Sequence, residues 1–146
     1  MNLGAVSLVD RVCIVTGAGS GIGRATAMLL AERGASVIVA DVAECGADVQ
    51  REIAAGGGRA EFVQGDVCES EYSQQLVDAT MERFGRLDAL VNNAGILRLA
   101  DSFELTTDAQ MEETMRVNFH AVFSLSKVAV PALEASGHGS IVNTAS

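Results

Sequence analysis

The feature that most constrains this sequence is an alternation of two kinds of segment. Short apolar, β-branched runs at residues 11–16, 36–40, 59–64, 87–91 and 140–143 read as strands. Longer amphipathic runs at residues 21–33, 43–55, 69–84 and about 107–134 read as helices. On the first of these helices Ile22, Ala25, Thr26, Leu29 and Leu30 fall on one face. Gly34, Gly56 and Gly85 punctuate the helix ends, and Thr107-x-x-Gln110 has the form of a capping box. Strand and helix in strict turn predict a parallel sheet with helices on both faces, joined by right-handed crossovers. Strands this apolar are expected to be covered on both sides.

Composition narrows the partners. The 146 residues carry a formal net charge of −9, which argues against nucleic-acid binding, because that needs basic patches to neutralise phosphates. No apolar run is long enough to span a membrane, and residues 1–10 lack the basic and apolar regions of a secretory signal. Cys13, Cys45 and Cys68 are an odd number without a C-x-x-C pair, which suits reduced thiols in a cytoplasmic protein. His120 and His138 stand far from any cysteine, so no metal site is expected.

In a doubly wound sheet ligands sit beyond the carboxyl ends of the strands, so the residues after each strand matter most. After the first come Thr16, Gly17, Ala18, Gly19, Ser20, Gly21, Ile22 and Gly23. Such glycines let the backbone approach a pyrophosphate, and the following helix N-terminus offers N–H groups and positive dipole to the anion. A strand before it and a helix after it are the context that makes a glycine-rich string a nucleotide site, and Arg24 after Gly23 excludes a P-loop. After the second strand comes Asp41, 24 residues past Gly17. Its carboxylate could accept from ribose hydroxyls and repel a 2′-phosphate, favouring NAD over NADP, or it could cap the next helix. Asp66 and Val67 after the third strand could meet adenine, or Asp66 could be a helix cap. Asn92, Asn93, Ala94 and Gly95 after the fourth suit close approach to a cofactor and a side-chain bond across to a neighbouring strand, or a polar turn. On the long helix Met111, Met115, Asn118 and Val122 share a face, which puts an amide on an apolar stripe, where it must bond backbone or hold water. After the fifth strand stand Thr144, Ala145 and Ser146.

Together these residues resemble the short-chain dehydrogenase/reductase family. The matching motifs are TGAGSGIG at 16–23, Asp41, Asp66-Val67, NNAG at 92–95, Asn118 and SIVNTAS at 140–146. Six ordered motifs span nearly the whole chain. The resemblance implies one Rossmann-type, doubly wound α/β unit over residues 1–146 with strand order 3-2-1-4-5. It also implies hydride transfer between NAD(H), less readily NADP(H), and a small-molecule alcohol or ketone. Residues 16–23 would bind pyrophosphate, Asp41 ribose, Asp66 and Val67 adenine, and Asn93, Ala94 and Gly95 would line the cofactor cleft. Asn118 would hold a water in the proton relay, and Ser146 would orient the substrate oxygen. The family is commonly dimeric or tetrameric through the helix that carries Asn118.

The family's acid/base is a tyrosine with a lysine four residues later. This chain has one tyrosine, Tyr72, and Leu76 stands four residues beyond it; its one lysine is Lys127. The resemblance therefore implies the cofactor-binding half of a dehydrogenase, catalytically inert by itself. With a sixth strand absent, the fifth would be an unprotected edge, and the half alone would be marginal and prone to aggregate.

Overall fold

A computed structural model describes residues 6–98, 100 and 102–145. Five parallel strands form one sheet in the order β3-β2-β1-β4-β5. They are β1 (Val12–Thr16), β2 (Ser36–Asp41), β3 (Arg59–Gln64), β4 (Ala89–Asn92) and β5 (Ser140–Asn143). The helices between them are α1 (Gly21–Glu32), α2 (Cys45–Ala55), α3 (Tyr72–Phe84), α4 (Asp108–Met115) and α5 (Val122–Ser136). Every element expected from the sequence is present, and the Thr107–Gln110 capping box opens α4.

The pleat sorts the strand residues between two cores. Cys13, Val15, Val37 and Val39 point to the face covered by α1 and α2, where they meet Ala27, Ala31, Val49 and Ile53. Ile14, Ile38, Ala40 and Leu90 point to the other face, against Leu76 of α3 and Leu125, Ala129 and Leu133 of α5. Each fully buried aliphatic side chain here contributes about 1.5–3 kcal/mol relative to exposure.

The outer strands depart from the expectation of two covered faces. All of β5 is exposed, and β3 is only partly covered, with Arg59 and Gln64 exposed. Each is an edge strand with one neighbour. No helix among the described residues is long and apolar enough to cross a membrane.

Two helices also differ from their sequence reading. The buried residues of α1 are Gly23, Ala27 and Ala31, whereas Ile22 is 69% exposed and Ala25 and Leu29 are also exposed. Closeness decides this. A Cβ on Gly23 would lie 2.1 Å from the Gly17 carbonyl oxygen, so the start of α1 lies close against the β1–α1 turn, and the small Ala27 and Ala31 carry that face onto the sheet. The long helix is not uniform either. Residues Arg116–Ala121 wind as a π-helix between α4 and α5. Met111, Met115 and Asn118 are all exposed, so the apolar stripe drawn through them is not a buried one.

Candidate functional site

The strand order reverses between β1 and β4, and the residues just past these two strands are tied together. Thr16, at the end of β1, is buried. Its Oγ1 accepts from the Asn93 and Ala94 backbone N–H groups, each at 3.0 Å. Asn93 replies with its side chain: Nδ2 donates to the carbonyls of Thr16 at 3.0 Å and Gly17 at 3.3 Å. Gly17 has φ +62, and a Cβ there would lie 2.9 Å from Ala94 Cα. Only glycine meets both the turn and the contact. The Asn93 amide thus serves the turn itself.

Asn92, one residue earlier, is buried, and its Nδ2 donates to Asn143 Oδ1 at 2.9 Å and Ser126 Oγ at 3.1 Å. That is a side-chain bond from β4 to its β5 register partner, with α5 joined in.

Ser20 holds the N-cap position of α1 in extended backbone, yet its side chain makes no capping bond. The N–H groups of that first turn have no intrahelical acceptor. Small residues at 17, 19, 21 and 23, free amides and a helix dipole make a cradle whose chemistry fits a diphosphate.

Asp41 ends β2 beside this turn. Its Oδ2 accepts from the Gly19 N–H at 2.7 Å and its Oδ1 from the Ala43 N–H at 2.9 Å. Each oxygen keeps a further lone pair, so the carboxylate could also accept from ribose hydroxyls. Asp66 makes the corresponding local turn after β3, its Oδ1 accepting from the Cys68 N–H at 2.8 Å, with Val67 half-buried beside it.

Asn118 sits in the π-helical segment and reaches the loop after β4. Its Oδ1 accepts from the Ile96 N–H at 2.9 Å and its Nδ2 donates to the Ile96 carbonyl at 2.8 Å. A Cβ on Gly95 would come 3.4 Å from Asn118 Oδ1. The exposed amide therefore finds both partners in backbone. Ser146 lies outside the described residues.

Tyr72 is 2% exposed, and its hydroxyl donates to the Val63 carbonyl at 2.6 Å. Burial, then the charges of Asp41 and Asp66, push its pKa well above the ordinary tyrosine value. This phenol is held in the core as a hydrogen-bond donor and does not titrate near neutral pH.

Two residues with specific contacts escaped the sequence reading. Cys45 Sγ lies against Gly19, which the short path from Asp41 to the start of α2 could have signalled. Asp88, at the opposite end of the sheet, is buried and accepts from Arg86, from the Val12 N–H and from Arg11. Its distance from Arg11 in sequence hid it.

A doubly wound parallel sheet with a glycine-rich β1–α1 turn at its point of reversal defines a Rossmann-type α/β protein. The model of the short chain dehydrogenase family matches residues 11–146. An uncharacterized oxidoreductase of Thermotoga maritima is 44% identical over 137 residues, which are 93% of this chain and 53% of that protein. Cyclohexanol dehydrogenase of an Acinetobacter species is 42% identical over 138 residues, 94% of this chain and 55% of that protein. The crystal structure of a short chain dehydrogenase from Mycobacterium avium superposes with a TM-score of 0.89 at 34% identity, covering 97% of this chain and 54% of that one. The chain belongs to the short chain dehydrogenase family. It spans about half the length of the curated relatives it matches. The family implies a nicotinamide dinucleotide cofactor.

Proposed function

We propose that these residues are the dinucleotide-binding portion of an oxidoreductase that moves a hydride between NAD(H) and an alcohol or carbonyl compound. The observation that carries this reading is the β1–α1 turn, clamped by Thr16 and Asn93 and flanked by the Asp41 carboxylate. When bound, the dinucleotide supplies or accepts the hydride. Residues 16–23 hold the diphosphate with backbone amides, Asp41 accepts from the ribose, and Asp66 and Val67 meet the adenine. Ala94 and Gly95 keep the cleft floor low, and Asn118 fixes the Ile96 backbone beside it. Ser146 would orient the substrate oxygen. The acid/base tyrosine and its lysine are not among these residues, since Tyr72 is locked to Val63. Residues 1–146 alone are therefore proposed to be inert. The reading includes a cytoplasmic location and a homodimer or homotetramer through the helix carrying Asn118, where Phe119 and Phe123 are 57% and 63% exposed.

The core-bound Tyr72 also favours a second reading, a module that binds dinucleotide without catalysis. Turnover of cyclohexanol or a similar alcohol with NAD⁺ by the intact protein separates the two.

The test of the cofactor assignment is titration of NADH and NADPH against the intact protein, followed by calorimetry. NADH is expected to bind at least about tenfold more tightly, a difference of ~1.4 kcal/mol. Asp41→Asn keeps an acceptor for the Gly19 N–H but removes the charge, and should shrink that preference severalfold. Saturable NADH binding that never appears would sink the reading, and an unchanged preference in Asp41→Asn would sink the role of Asp41.

A further inference from the structure

We propose that Tyr72 is a positioning residue for the adenosine end of the dinucleotide: its ring and hydroxyl hold the turn after β3 in place without touching the ligand. The inference rests on the dinucleotide reading above and adds to it a core residue that works through its neighbours.

The turn after β3 carries Asp66 and Val67, and its own bonds are short-range. The Cys68 N–H donates to Asp66 Oδ1 at 2.8 Å, the Glu69 N–H to the Asp66 carbonyl at 3.0 Å, and the Tyr72 N–H to the Glu69 carbonyl at 3.1 Å. Bonds of this kind give a turn its shape but not its place on the sheet. Two longer contacts supply the place. The Gly65 N–H donates to the Asp41 carbonyl at 3.0 Å, one residue beyond the end of β3. The Tyr72 hydroxyl returns across nine positions to the Val63 carbonyl at 2.6 Å. The phenol thus joins the start of α3 to the end of β3 and closes residues 63–72 into a loop.

The ring fixes the same turn from its inner side. A Cβ built on Gly65 would stand 2.2 Å from Tyr72 Cε2 and 2.3 Å from Tyr72 Cδ2. Gly65 is not among the glycines with positive φ, so the ring, rather than the backbone, demands glycine here. Tyr72 is buried in one cluster with Ile38, Ala40 and Leu76, and Val67 packs against that cluster. Burial, then the charges of Asp41 and Asp66, raise the phenol's pKa, so it stays a donor throughout the neutral range and both carboxylates lie within its electrostatic reach. Because Gly65 is bonded to the backbone of Asp41 itself, the placing of this turn also sets Asp66 relative to Asp41.

The experiment uses the intact protein and two halves of the cofactor: ADP for the adenosine end and reduced nicotinamide mononucleotide for the other. Each is measured by calorimetry and by competition with NADH. Tyr72→Phe keeps the ring and removes the hydroxyl; it should weaken ADP and NADH by about fivefold each and leave the mononucleotide within about twofold. Gly65→Ala, which forces the ring aside, should weaken ADP by about tenfold or more with the mononucleotide again unaltered. Amide hydrogen exchange without ligand gives a second reading: Tyr72→Phe should speed exchange at residues 65–68 about fivefold and leave residues 16–23 as they were. A purely structural phenol would weaken both halves alike or neither. Unchanged ADP affinity in Tyr72→Phe, equal losses for the two halves, or unaltered exchange at residues 65–68 would each overturn the proposal. Unsubstituted protein that binds neither NADH nor ADP overturns the dinucleotide reading as well, so the two failures are distinguishable.

Discussion

Thr16→Val tests whether the clamp across β1 and β4 holds the site together. The change conserves shape and removes one atom that matters, the Oγ1 that accepts from the Asn93 and Ala94 N–H groups at 3.0 Å each. A buried donor stranded without a partner costs about 1–3 kcal/mol. Asn93 and Ala94 are half-buried, so water recovers part of the loss, and the two donors together should cost about 2–3 kcal/mol. The Asn93 Nδ2 bonds survive, because their acceptors are backbone carbonyls. Thr16→Ser is the control: it keeps the acceptor and deletes one buried methyl, for about 1 kcal/mol. Urea unfolding of the intact protein, followed by circular dichroism, gives both values. Thermal unfolding should show Tm lower by roughly 5–10 °C in Thr16→Val. The valine variant should also bind NADH more weakly than the serine one, because the cradle loses its register to the loop after β4. Equal stability of the two variants would refute the clamp.

The glycines of the turn separate into two kinds. A Cβ on Gly23 would lie 2.1 Å from Gly17 O and 2.5 Å from Asn93 Nδ2, so Gly23→Ala should cost about 3 kcal/mol or more and abolish NADH binding. Gly21 has φ +53 but nothing within 4 Å of a Cβ, so Gly21→Ala should cost only about 1–2 kcal/mol of backbone strain; equal losses in the two variants would contradict this, as read from urea midpoints. Asp88 predicts the acid limb. Burial opposes its charge, but bonds from Arg86, the Val12 N–H and Arg11 outweigh that and hold its carboxyl below the usual range. The unfolded chain therefore takes up this proton first, at about pH 4, and the stabilisation is full above that and drains as pH falls through the folded value. Both arginines are about a third exposed, so Asp88→Asn should cost a discounted ~1–3 kcal/mol at pH 7 and much less near pH 3; the same deficit at both pH values would refute the linkage.

The strands and the residues after them were legible because parallel strands in this architecture need both apolar runs and special turns. Residues 16–23 declared themselves by position as much as by composition, standing between a β-branched run and a helical one. Asn92 and Asn93 were legible as a pair of amides at a strand end, but not their division of labour. Only the register of β4 against β5 shows that Asn92 reaches Asn143 while Asn93 turns back to Thr16. The Asp88 cluster joins residues 76–77 positions apart, and no local pattern carries such information.

The helices failed in a more instructive way, because periodicity weighs side chains by apolarity and assumes a constant pitch. In α1 the first assumption breaks. The sheet selects Gly23, Ala27 and Ala31 because they are small, and pushes the larger Ile22 and Leu29 out to where a ligand or a neighbour can use them. Across Arg116–Ala121 the second assumption breaks. Each turn of π-helix accommodates an extra residue, which rotates everything beyond it by about 100° relative to an α-helix. Met111 and Met115 then no longer share a stripe with the buried Leu125, Ala129 and Leu133. The wider turn is also where Asn118 stands with its amide bonded to both polar groups of Ile96. A polar residue interrupting an apolar heptad therefore marked the place where the helix changes pitch. Asn118→Leu, which would extend the apolar stripe, should leave the Ile96 backbone unpaired and loosen the loop after β4 instead of strengthening the helix.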